Sequence, residues 1–195
     1  MIGNLWKRQL RPAVTVTLVT MLVTGLIYPA MVTVCARFLF PRQAGGSLLA
    51  RDGRIVGSAL IGQSFSQPQY FHPRPSAAGA GYDATATGGT NKGPTDRKLA
   101  DTLIAQAVER VAAVDHVRRG SIPSDMVTSS GSGLDPDISP ANATLQIARV
   151  AARRGLPDAR VRALVARLTQ QRQFGVLGEP RVNVLQLNLA LDSLR

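Results

Sequence analysis

The chain has 195 residues, with 23 Lys+Arg against 12 Asp+Glu, a formal net charge of +11 and a 45% share of hydrophobic residues. Its single cysteine, Cys35, excludes an intrachain disulfide, and with only two histidines beside it the chain offers no recognisable set of zinc ligands. Roughly 155 residues lie beyond the N-terminal apolar stretch, which is one domain by size and enough to bury a core.

That stretch, Pro12 to Ala36, holds no Asp, Glu, Lys, Arg or His. As a helix it would be about 37 Å long, enough to cross a hydrocarbon core of about 30 Å. A signal peptide has a shorter apolar region and a small-residue cleavage site, which are missing here. The prediction is a membrane span. Pro29 has no N–H for the carbonyl of Gly25, so a kink is expected there, and Gly25 leaves shallow surface for a neighbouring helix. The arginines and lysine at 7, 8 and 11 nearly balance Arg37, Arg42, Arg51 and Arg54, and long domains translocate largely regardless of charge. A short tail, a span and a long domain predict the N-terminus inside and the domain outside. Three of the 23 basic residues precede the span, which leaves 20 against 12 beyond it, a net of +8. Such a charge suits anionic headgroups or an acidic partner, and in a membrane-anchored external domain nucleic acid is not the expected partner.

After a linker from 37 to 46, Ser47 to Leu60 sets two apolar runs around Asp52-Gly53, which predicts a hairpin whose turn residues both have positive φ. Gly62 to Thr95 is rich in Gly, Pro, Ser and Thr but also holds Phe65, Tyr70, Phe71 and Tyr82, so an ordered, Pro-stiffened docking loop is expected. An apolar stripe predicts a helix from Thr95 to Val117, closed by Arg118-Arg119-Gly120. A second polar loop runs from Ser121 to Ser139. Ser139-Pro140 and Gly155 bracket a helix with Leu145, Ala148 and Ala152 on its apolar face. Pro157 to Thr169 is a third helix, with Val161, Leu164, Val165 and Leu168 on one side and Arg160, Arg162 and Arg167 solvated. The leucine-rich segment 182–191 fits a strand or a helix, with Pro180 and Asp192 favouring the helix. The fold class is therefore α+β: a single N-terminal transmembrane helix, then one mixed α/β domain with a short β-hairpin, several helices and long Pro/Gly-rich ordered loops. Its divisions are a cytoplasmic tail 1–11, a transmembrane helix 12–36, a juxtamembrane linker 37–46 and an extracytoplasmic accessory domain 47–195.

Motifs for independent chemistry are weak. Gly79 to Ala84 fits G-x-G-x-x-A, but Pro73 and Pro75 stand where a dinucleotide site needs a strand. Lys92 precedes Gly93 and Pro94, so no Walker A motif forms. The serines at 130 and 132 have no nucleophile-elbow pattern, His72 and His116 lie beside no acid or nucleophile pattern, and Asp135-Pro136-Asp137 reads as turn chemistry. No catalytic, cofactor-binding or metal-ligating residue is assigned.

The loops carry a resemblance. Tyr28-Pro29, Gly62-Gln63-Ser64-Phe65, Tyr70-Phe71 through Arg74-Pro75-Ser76, Gly81-Tyr82-Asp83, Gly88-Gly89-Thr90-Asn91 with Gly93-Pro94-Thr95, Val127-Thr128 through Ser130 to Pro136, and Gly178 to Leu185 together resemble the C subunit of the bacterial Kdp potassium-transporting P-type ATPase. Asp137 stands where that family usually has histidine, and Lys92 where it commonly has leucine, so no role is carried onto either. The resemblance implies an accessory subunit of an inner-membrane complex for ATP-driven, high-affinity potassium uptake. Its partners would be a channel-like potassium-binding subunit, a P-type ATPase subunit and a small peptide subunit, besides membrane lipid. The implied interface is Gly25, Tyr28 and Pro29 in the span, with Gln63, Phe65, Tyr70, Phe71, Arg74, Tyr82, Asn91 and Asp135 in the loops, the aromatic loop capping the channel's outer mouth. The family has also been described as a catalytic chaperone that raises the ATPase subunit's affinity for ATP. ATP is thus a ligand only by that description, and an external domain could not reach it. A membrane-anchored enzyme of unknown substrate is the remaining alternative.

Overall fold

The computed structural model describes residues 2–93 and 95–194, so Pro94 of the Gly93-Pro94-Thr95 motif lies outside the described residues. These residues form two compact units, 1–48 and 49–195.

In the first unit, α1 (Ile2–Leu22) leads into a π-helical turn over Val23–Ile27 and then α2 (Tyr28–Leu39) and the single turn α3 (Pro41–Ala44). Pro12 sits inside α1 without ending it. At the predicted kink the helix widens: the N–H of Tyr28 donates to the carbonyl of Val23, five residues back. One helix among the described residues, Arg8–Leu39, is long and apolar enough to cross a membrane, with a mean hydropathy of 2.0 in its most apolar window and none of that window buried within the chain. The apolar stretch read from the sequence lies within this helix, which itself begins ten residues earlier.

The second unit is mixed helix and sheet, as the sequence indicates. β1 (Leu48–Arg51) and β2 (Arg54–Ser58) pair as a hairpin, and its turn residues Asp52 and Gly53 have φ of 50° and 76°. No regular element follows until residue 98. There the predicted helix opens as a π-helical stretch over Lys98–Ile104 before α4 (Ala105–Asp115). It ends at His116, held in the left-handed region at φ 53°, and not at Arg118-Arg119-Gly120. A three-stranded antiparallel sheet, in the order β3 (Asp137–Ile138), β5 (Arg181–Asn183), β4 (Thr169–Gln170), sets Ile138 and Thr169 on either side of Val182. Strands of two or three residues are too short for alternation to reveal them.

Three helices pack on that sheet. α5 (Pro140–Arg154) is capped as expected: the Ser139 side chain accepts from the N–H of Asn142, and Gly155 takes φ 62°. Its buried side is different from the expected one. Ala148 and Ala152 are exposed and Leu145 is half-buried, whereas Asn142, Ala143, Gln146, Ile147, Arg149, Val150 and Ala151 are buried. Counting apolar residues misplaced the face because three of those seven are polar. α6 (Asp158–Leu168) buries Val161, Leu164 and Val165 as its spacing predicts. The leucine-rich segment proves to be strand and then helix, β5 followed by α7 (Val184–Asp192), with the Asn183 side chain accepting from the N–H of Gln186 at the junction. Phe71, from the loop before α4, completes a core that includes Ile147, Val150, Val161, Val182, Leu187 and Leu191.

Candidate functional site

The segment 68–72 runs without a neighbouring strand, yet its backbone is bonded residue by residue to side chains from α5 and α7. Such a segment must satisfy its buried N–H and C=O groups somehow. Asn188 does this for Phe71: its Oδ1 accepts from the Phe71 N–H at 2.9 Å and its Nδ2 donates to the Phe71 carbonyl at 3.0 Å. Gln146 repeats the pattern on His72, accepting from its N–H at 2.7 Å and donating to its carbonyl at 3.0 Å. Arg149 donates through Nη1 to the carbonyls of Pro68 at 2.6 Å and Tyr70 at 2.9 Å. Arg154 donates to the carbonyl of Gln69 at 2.9 Å, and its guanidinium lies 4.9 Å from the centre of the Tyr70 ring.

These clamps are themselves tied down. Arg149 Nε donates to Asp115 Oδ1 at 2.6 Å, with the two side chains 4% and 3% exposed, and Arg149 Nη2 donates to Gln146 Oε1 at 2.6 Å. Arg154 donates to Asp192 Oδ1 at 2.6 Å, while Arg51 bonds the other oxygen of that carboxylate. Burial alone would raise the Asp192 carboxyl, but the hydrogen bonds and charges of Arg154 and Arg51 outweigh it and hold the group below the usual carboxylate range.

The second loop closes against the first. Ser76 Oγ donates to the carbonyl of Gly133 at 2.6 Å and accepts from the N–H of Tyr82 at 2.8 Å. The Tyr82 hydroxyl donates to the carbonyl of Arg74, and burial raises its pKa well above the ordinary phenol value. Arg74 pairs with Asp135 at 2.9 Å, and the other oxygen of Asp135 accepts from the N–H of Asp137 at 3.0 Å, the turn chemistry its sequence suggests. Gly133 has φ +69° and lies so near Gly88 and Ala78 that a Cβ would come within 2.6 Å of the Gly88 carbonyl oxygen.

Of the residues assigned to an interface, Phe71 is fully buried, while Gln63, Tyr70, Arg74, Tyr82 and Asp135 are half-buried. Phe65 is half-buried too, tilted against Tyr70 with ring centres 5.7 Å apart. Gln63 donates to the carbonyl of Val56 at 3.2 Å, and Asn91 is exposed at φ 51°. A cleft of about 480 Å³ brings Phe65, Arg74 and Tyr82 together with His72 and Arg110. Gly25, Tyr28 and Pro29 belong to the first unit, where Tyr28 is exposed and a Cβ on Gly25 would meet nothing within 4 Å. Sequence reasoning missed Asn142, Gln146, Arg149 and Asn188. Their signal was available: polar residues at 142, 146 and 149 share one helical face, and Asn188 interrupts a run of leucines.

His72 gives this region a pH response. Burial first, and then the charge of Arg149, push its imidazole below the ordinary value, against the opposing hydrogen bond to the Gln67 carbonyl and the charge of Asp115. The unfolded chain therefore takes up its proton first as pH falls through about 6.5, so stability should be full at higher pH and decline from about pH 7 to 5. Urea midpoints at the two pH values test this, and His72→Gln should flatten the difference. Among the described residues, no three His, Cys, Asp or Glu side chains converge as metal ligands would.

The family model described as "K+-transporting ATPase, c chain" matches residues 10–193. A protein named potassium-transporting ATPase KdpC subunit from Gemmatimonas aurantiaca is 65% identical over 96% of this chain and 94% of its own length. Proteins of the same name from Acidobacterium capsulatum and Rhodospirillum rubrum are 53% and 52% identical, each over 95% of this chain and over 98% and 95% of their own lengths respectively. Agreement of this extent spans the long apolar helix, the clamped loop and the helices that clamp it, and the chain belongs to the family of K+-transporting ATPase C chains.

Proposed function

We propose that this accessory subunit of the potassium-transporting ATPase is non-catalytic, carries residues 49–195 on the outer side of the membrane, and packs on the channel-like, potassium-binding subunit. The observation that carries this reading is where four polar side chains of α5 and α7 are directed. Asn188, Gln146, Arg149 and Arg154 all hold the backbone of 68–72, as a scaffold does when it must present a loop of fixed shape. Phe65, Tyr70 and Tyr82 are then offered to the outer mouth as half-buried rings on a rigid frame, and Phe71 contributes by pinning that frame from inside. The P-type subunit would hydrolyse ATP and the small peptide subunit would stabilise the assembly. Gly25 and the wide turn before Pro29 would meet the channel-like subunit's helices.

Sidedness is the test. A cysteine introduced by Ala163→Cys on the exposed face of α6, in a Cys35→Ala background, should react with a membrane-impermeant maleimide in intact spheroplasts. Labelling only after lysis would put the domain in the cytoplasm and return the reading to a nucleotide regulator of the ATPase subunit. Alanine at both Phe65 and Tyr70 should loosen the detergent-purified complex and lower potassium-stimulated ATP hydrolysis. Wild-type levels of both would remove the capping role.

A further inference from the structure

The most exposed aromatic side chain of the second unit is Phe174, 92% exposed at the tip of a small hairpin that also shows Val176 and Leu177 to solvent. Gln173 and Leu177 close this hairpin by exchanging two backbone hydrogen bonds of 2.9 Å, and Arg172 braces its base by donating to both oxygens of Glu179 at 2.8 and 2.6 Å. Phe174 and Gly175 both have positive φ, 53° and 78°. A bulky residue seldom takes that conformation, and where a fold imposes it the outlier points to a site. Here bracing holds an aromatic ring outward into solvent.

We infer that the Phe174 hairpin is a docking element that inserts into an apolar pocket on an extramembrane surface of another subunit of the ATPase complex. The charges around it select a protein over a bilayer. A segment that lies on lipid carries free Lys or Arg for the headgroups, whereas within 170–181 Arg172 is paired with Glu179 and Arg181 with Asp137 at 3.0 Å. Glu179 is itself exposed and would face anionic headgroups. The tip is thus apolar, charge-balanced and pre-shaped, which matches an anchor for an uncharged protein pocket. The inference rests on membership of the complex and not on the side of the membrane or the role of the aromatic loop, so it stands or falls separately from them.

The test uses the full chain produced with the other subunits. Photoactivating p-benzoyl-phenylalanine placed at position 174 in native membranes should give a crosslinked product that mass spectrometry identifies as this chain joined to another subunit of the complex. Adducts to lipid alone, to a second copy of this chain, or none at all would overturn the proposal. Phe174→Ser should reduce the complex recovered with the tagged chain in detergent at least tenfold, with Phe174→Leu close to wild type and the melting temperature of the isolated full chain unchanged in both. Undiminished recovery with Phe174→Ser would overturn it as well.

Discussion

Arg149→Met is expected to destabilise the domain by about 3–5 kcal/mol, the cost of removing one partner from a buried ion pair. The substitution keeps most of the side-chain volume, so the loss is electrostatic more than steric. It strands the Asp115 carboxylate, which is 3% exposed, and removes donors from the carbonyls of Pro68 and Tyr70. Urea denaturation of the full chain in detergent, followed by circular dichroism, should show a lower midpoint with little change in slope. The double variant Arg149→Met with Asp115→Leu should recover part of the loss, because the stranded charge goes with it. A double variant as unstable as the single would mean that the carbonyl contacts, and not the ion pair, carry the energy.

Asn188→Leu should cost about 2–4 kcal/mol. Leucine matches asparagine closely in shape and would add apolar area to α7, so a burial argument alone predicts a gain. The hydrogen bonds reverse that sign: the N–H and C=O of Phe71 both lose their partner, and an orphaned buried backbone group costs about 1–3 kcal/mol. Hydrogen exchange separates this from general loosening. In the wild type the Phe71 amide should exchange as slowly as amides in α5, and in the variant it should speed up far more than the amides of α6. Uniform acceleration would point to global destabilisation instead.

Some of the fold can be read directly from local chemistry. Asp52-Gly53 fixed the hairpin, Ser139-Pro140 and Gly155 fixed both ends of α5, and the apolar residues of α6 pointed to its buried side because no polar residue shares that side. The same counting failed on α5, where Gln146 and Arg149 face inward to bond a distant loop and Asn142 faces inward to bond Asp125 and Gln146. Their partners lie 74 to 81 residues away in the chain for Gln146 and Arg149, and no local pattern encodes such a pairing. The aromatic loop was legible as ordered but not as to how: its aromatic content suggested docking outward, while Phe71 is fully buried. The exposed Phe174, by contrast, lay in a short run with too few apolar residues to stand out.

The grip on residues 68–72 also sets what kind of change this loop can absorb. Surface loops ordinarily tolerate insertions and deletions. Here Asn188 and Gln146 each address one numbered residue, Phe71 and His72, and Phe71 must reach the core at the same point. Adding a single residue between Arg149's two carbonyls, at 68 and 70, and those carboxamides would offer each clamp the wrong peptide group and turn the aromatic ring out of its socket. Irregular in shape, the segment is therefore as locked in length as a central strand.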